Sequence, residues 1–121
     1  MGASEIQGWE KLFRAVRSNM LKGNGRPTTA AFKTRKKEKE LSFDRQANRD
    51  VAECIRFMRS RLEGAVFSIP AKSCTELDLT VEPTPSQANP YHASVYHGSY
   101  GEIPEQTALA LARSVQMEAE P

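Results

Sequence analysis

The chain has 121 residues, 39% of them hydrophobic and 26% charged, which suits one domain over 1–121 and excludes wholesale disorder or two separate cores. No apolar run reaches the ~20 residues that span a bilayer, and residues 1–10 carry acids but no base, the reverse of a signal peptide. A cytoplasmic protein without membrane contact is expected. The net charge is only +2 but is unevenly placed: residues 1–65 hold 15 Lys/Arg against 8 Asp/Glu, and residues 66–121 hold 2 against 7. Such asymmetry marks a basic surface for an anionic partner, or halves whose fields cancel once folded.

In chain order, Ile6, Trp9, Phe13, Val16 and Met20 recur at helical spacing, while Leu12–Val16 also reads as a short strand. Residues 1–8 are expected to fray. Gly23 to Thr29 is a loop, with Gly23 and Gly25 for the turn and Pro27 for the exit. Residues 33–40 hold five bases and two acids without an apolar side chain, and are expected as an exposed basic loop between Phe32 and the strand Leu41-Ser42-Phe43. The next helix, over 50–63, starts with Asp50 as N-cap and Glu53 three residues on. It buries Val51, Ile55, Met58 and Leu62, carries Arg56, Arg59 and Arg61 toward its C-terminus, and stops at Gly64.

The second half reads as β-rich. Ala65–Ile69 is a strand ended by Pro70, and Lys72–Leu77 holds a helical turn. Leu77, Leu79 and Val81 alternate with polar residues as a half-buried strand does. Pro83–Ser86 breaks that strand, Asn89-Pro90 turns the chain, and Ala93–Tyr96 returns beside it. A last helix starts near Pro104 with Leu109, Leu111, Ala112 and Val115 as its apolar face. Residues 117–121 are expected to fray. The fold class is therefore α+β: a small, mostly antiparallel sheet of four or five strands with two helices packed on one face. The expected core is Phe13, Val16, Phe32, Leu41, Phe43, Val51, Ile55, Met58, Leu62, Val66, Ile69, Leu79, Val81, Val95, Leu109 and Ala112.

Four phrases, Leu12-Phe13-Arg14-Ala15-Val16, Gly25-Arg26-Pro27 with Ala31-Phe32, Leu41-Ser42-Phe43-Asp44-Arg45, and Asn89-Pro90-Tyr91-His92-Ala93, together resemble a group of small uncharacterised bacterial proteins. The likeness covers about residues 10–97. It implies a bacterial source and a strand at residues 11–16 paired near Leu41–Phe43, and it implies no particular chemistry.

No nucleophile elbow, phosphate-binding glycine loop, H-E-x-x-H or C-x-x-C motif occurs. Cys54 and Cys74 stand too far apart for the close pair of a structural zinc site and read as small buried hydrophobes. Neither metal nor cofactor is expected. His92 and His97, five apart on one strand, point to opposite faces. Three function classes follow. The first is a non-enzymatic interaction protein with another protein as partner, or with itself as a homo-oligomer. The second is an RNA- or DNA-binding protein using the basic 22–45 region: Lys22, Arg26, Lys33, Arg35, Lys36, Lys37, Lys39 and Arg45, with Phe32 and Phe43 for base stacking. The third is a small nuclease- or transferase-like enzyme using His92 or His97 with Arg14. A minimal pocket of Arg14, Ser42 and Glu102 is a further, transferase-like variant.

Overall fold

The computed structural model describes residues 4–35, 38–98 and 101–121. Six strands, β1 (Lys11–Val16), β2 (Leu41–Arg45), β3 (Ala65–Pro70), β4 (Leu79–Pro83), β5 (His92–His97) and β6 (Gln116–Ala119), form one sheet in the order β4-β5-β2-β1-β3-β6. Every pairing is antiparallel. Three helices accompany it: α1 (Val51–Arg59), α2 (Ala71–Thr75) and α3 (Glu105–Ser114). No helix among the described residues is long and apolar enough to cross a membrane.

Residues 11–16 form a strand despite their helical spacing of apolar residues. The reason is position: β1 lies between β2 and β3, so both of its faces are covered. Leu12 and Val16 join the larger core, with Phe67 and Ile69 of β3 and with Ala108, Leu111 and Ala112 of α3. Phe13 joins a smaller core with Val66 of β3 and Cys54 and Met58 of α1. A strand buried on both sides carries an apolar run instead of an alternation, and Phe13 and Val16 then mimic helix spacing. Trp9, another member of that pattern, is 71% exposed.

The same arrangement corrects the expectation of two helices on one face. Successive residues of β1 and β3 are apolar toward both sides, so α3 covers one face and α1 the other. Helix α1 begins as its sequence predicts, with the Asp50 carboxylate accepting from the Glu53 N–H at 2.8 Å. It ends at Arg59, short of the expected 63, which leaves Leu62 45% exposed and outside the core. Gly64 is not its stop: at φ +120° it lets the chain pass so close to β1 that a Cβ there would lie 2.3 Å from the Val16 carbonyl oxygen.

Of the expected core, Val51, Ile55, Val81 and Leu109 are half-buried and the remainder apart from Leu62 is buried. Three of the five C-terminal residues expected to fray, Met117–Ala119, belong to a strand. Gln116–Ala119 form β6, paired with β3, and Glu118 accepts from Lys11 Nζ and Ser68 Oγ, both at 2.8 Å. At the other end, the carbonyls of Ser4 and Glu5 accept from Arg45, and Gly8 O accepts from the Lys72 N–H. Residues 4–8 are thus tied down as well.

Candidate anion-binding cleft

Strands β1 and β3 pair along all six residues of β1, but β1 and β2 pair only at Leu12–Arg45 and Phe13–Asp44. Beyond that point they splay, and the Arg14 side chain fills the gap. Its Nε donates to Ala31 O at 2.9 Å and its Nη1 to Ser42 O at 2.8 Å. Its guanidinium lies 5.8 Å from the Phe32 ring centre and 5.7 Å from that of Phe43. The two phenylalanines are buried and serve as the apolar bed for this cation, so they do not stack on bases as the sequence suggested. Burial lowers Arg14 from 12.5 to about 10; Glu38 opposes the shift and Arg35 adds to it. Arg14 stays charged at neutral pH and belongs to none of the ion pairs among the described residues.

A cleft of about 230 Å³ opens at the splay, between the sheet and the end of α1. Four arginines line it, Arg14, Arg17, Arg35 and Arg61, together with Ser42, Asp44, Glu63, Asn89 and His92. Asp44 is already committed: it accepts from Asn89 Nδ2 at 2.9 Å and from Arg61 Nη2. Cations therefore outnumber carboxylates on the cleft wall. His92 is fixed from behind. Its Nδ1 lies 2.7 Å from Thr84 Oγ1, which lies 2.8 Å from Ser94 Oγ, which donates to Glu40 Oε1 at 3.1 Å.

Beside the cleft is an open hollow of about 500 Å³ formed by Arg49, Glu53, Arg56, Phe57, Ser60 and Tyr91. The Phe57 and Tyr91 rings meet edge to face, 5.5 Å apart at 79°. Arg49 lies 3.5 Å over the Tyr91 ring centre, and Arg61 lies 4.4 Å over that of Phe57. Arg61 thus joins the two depressions, since it also lines the cleft.

The residues singled out from sequence are largely dispersed. Arg45 is buried in an ion pair with Glu10, Nε to Oε2 at 2.7 Å. Arg26 closes the end of α3 by donating to the carbonyls of Ala112 and Val115, each at 2.9 Å. Both are structural, because each satisfies groups that folding takes out of water. Lys33 pairs with Glu105 at 2.8 Å on the surface, and this pair holds the Glu105 carboxyl below its ordinary range. Lys22 and Lys39 are exposed, and Lys36 and Lys37 lie outside the described residues. Of the six that are described, Arg35 alone lines the cleft.

His97 stands opposite the buried Leu79 on the face away from His92, and is not part of the cleft. His92 and Arg14 do share it. Glu102 lies in a different depression with Lys33 and Glu105, so the Arg14–Ser42–Glu102 pocket is not assembled. Cys54 and Cys74 are free and buried, and burial pushes the Cys74 thiol up to about 12. Among the described residues no group of three or more His, Cys, Asp or Glu side chains is arranged to hold a metal ion.

Sequence reasoning missed Arg17, Arg61, Arg49, Phe57 and Tyr91. The signal available was the arginine run on and after α1, which reads equally well as a complement to the helix dipole. No family model, curated protein or solved structure matches the chain significantly. The functional reading therefore rests on geometry.

Proposed function

We propose that the cleft and the adjoining hollow bind single-stranded nucleic acid. The observation that carries this reading is Arg14, a sheltered guanidinium in no ion pair among the described residues, at the mouth of a cleft shared with Arg17, Arg35 and Arg61. A partly dehydrated cation with no carboxylate at ion-pair distance costs stability, and an anion entering the cleft offsets that cost through charge-assisted hydrogen bonds. A phosphate group suits the planar guanidinium. The cleft is small enough to take one phosphate with part of its sugar. The neighbouring Phe57 and Tyr91 rings, with Arg49 and Arg61 against them, supply the aromatic and cationic surfaces on which bases stack.

A protein partner has less support: the large apolar side chains exposed among the described residues are Trp9 and Leu62. The test is fluorescence anisotropy with labelled single-stranded oligonucleotides. Arg14→Met is expected to weaken binding by about 10- to 100-fold, the worth of a hydrogen bond to a charged group. Lys72→Ala, which removes the same charge from an exposed position on α2, is expected to change it by about twofold at most. Equal binding by wild type and Arg14→Met overturns the reading. Equal or tighter binding of a poly-glutamate peptide reassigns the cleft to acidic protein segments.

A further inference from the structure

Resting on the nucleic-acid reading, we infer that the cleft cleaves single-stranded RNA, with His92 as the base that activates the 2′-hydroxyl. The inference stands on the hydrogen-bonded chain behind His92. The Glu40 carboxylate only accepts, so Ser94 Oγ spends its proton on Glu40. Ser94 Oγ must then accept from Thr84 Oγ1, and Thr84 Oγ1 must accept from His92 Nδ1. One direction satisfies all three contacts, and it settles the tautomer: Nδ1 carries the proton and Nε2 carries the lone pair. Nε2 takes no bond among the described residues, and the ring lines the cleft. A base oriented by a carboxylate through intervening hydroxyls is arranged like the histidine of a hydrolase triad, with two hydroxyls interposed.

Among phosphate esters, RNA suits this equipment because it carries its own nucleophile next to phosphorus. His92 Nε2 takes the 2′-hydroxyl proton as the 2′-oxygen bonds to phosphorus and the bond from phosphorus to the 5′-oxygen breaks. The leaving oxygen takes a proton from water, and the hydroxide left behind recovers the proton from His92. The products are a 2′,3′-cyclic phosphate and a 5′-hydroxyl, and nothing is oxidised or reduced. Arg14 and Arg35 face the extra negative charge that develops on the phosphoryl oxygens. The Thr84–Ser94–Glu40 chain stabilises the imidazolium while it exists. His92 is the catalytic residue, and Thr84, Ser94 and Glu40 are positioning residues.

The experiment compares a single-stranded RNA with its 2′-O-methyl counterpart, scoring binding by anisotropy and cleavage by mass spectrometry. Wild type is expected to bind both, to cut RNA alone, and to leave 2′,3′-cyclic phosphate ends. At saturating RNA, His92→Gln is expected to lower the cleavage rate by about 100-fold or more. Added imidazole is expected to restore part of the rate of His92→Ala, which a structural role for His92 would not allow. Thr84→Val is expected to lower kcat by about tenfold with little change in KM, as a positioning role requires. If wild type binds both oligonucleotides and leaves RNA intact, or if His92→Gln cuts at the wild-type rate, the inference is overturned while the binding reading stands. If neither oligonucleotide binds, the binding reading falls and takes the inference with it.

Discussion

Arg14, Arg26 and Arg45 look alike in sequence, and their surroundings divide them. Arg26 finds helix-end carbonyls, Arg45 finds a buried carboxylate, and Arg14 finds carbonyls and ring faces with no carboxylate at ion-pair distance among the described residues. Arg45 holds Glu10 by a two-pronged contact, with Nη2 to Oε1 at 2.8 Å beside the Nε bond, and the Ala47 N–H adds a bond at 2.8 Å. Burial by itself would raise the Glu10 carboxyl. The bonds from Arg45 and Ala47 and the charge of Arg45 outweigh it and hold the group below its ordinary 4.5. A carboxyl that is a stronger acid folded than unfolded stabilises the fold above that ordinary value, and the contribution is lost as pH falls through the folded value. Wild-type stability in urea is therefore expected to fall more steeply than that of Glu10→Gln between about pH 5 and about pH 3. At neutral pH the variant is expected to be less stable by about 3 kcal/mol or more, because Arg45 is left buried without its partner. Parallel profiles for the two proteins would show that the pair does not drive the acid limb.

At the scale of elements, two features bear on the cleft. The first is the crossing at Gly64, where a left-handed backbone and a close approach to Val16 coincide. Gly64→Ala strains the backbone and drives a methyl into the Val16 carbonyl, so its cost is expected to reach about 2 kcal/mol or more. Chemical denaturation measures it, and a loss below about 0.5 kcal/mol would mean that the approach relaxes freely. The second feature is β6. Its pairing with β3 and the Glu118 bonds to Lys11 and Ser68 predict that amides within 116–119 exchange at least about tenfold more slowly than that of Glu120. Uniformly fast exchange would return this segment to the frayed tail that its sequence suggests. The four residues after Val115, Gln116-Met117-Glu118-Ala119, are too few for their alternation to stand out as a strand signal. Their order comes from the free edge of β3.

For the whole molecule, the sequence asymmetry of +7 against −5 does not become two charged halves. Arg45, Arg26 and Lys33 are drawn into pairs or helix ends, and the cations that converge come from β1, from the loop before β2 and from α1 and its exit. If three or four of them meet phosphates, log K is expected to fall with log salt concentration with a slope of about −2 to −3 for a single strand. A slope near zero would mean that phosphates are not what the cleft holds.

The α+β class, the Asp50 cap, the β4–β5 return through Asn89-Pro90 and the opposition of His92 and His97 were legible from residue type and spacing, because local backbone preferences and strand alternation determine them. The helices on opposite faces, β6 and the cleft were not, and at 11–16 the spacing left helix and strand both open. Each depends on which strands become neighbours and where two of them part, and that is decided by how the whole set of apolar faces is covered. Arg14 is the sharpest instance. Its identity was plain in the sequence, but its place in a gap between two strands, in one cleft with an arginine 47 residues on at the exit of α1 and a histidine from β5, exists only once the sheet has formed.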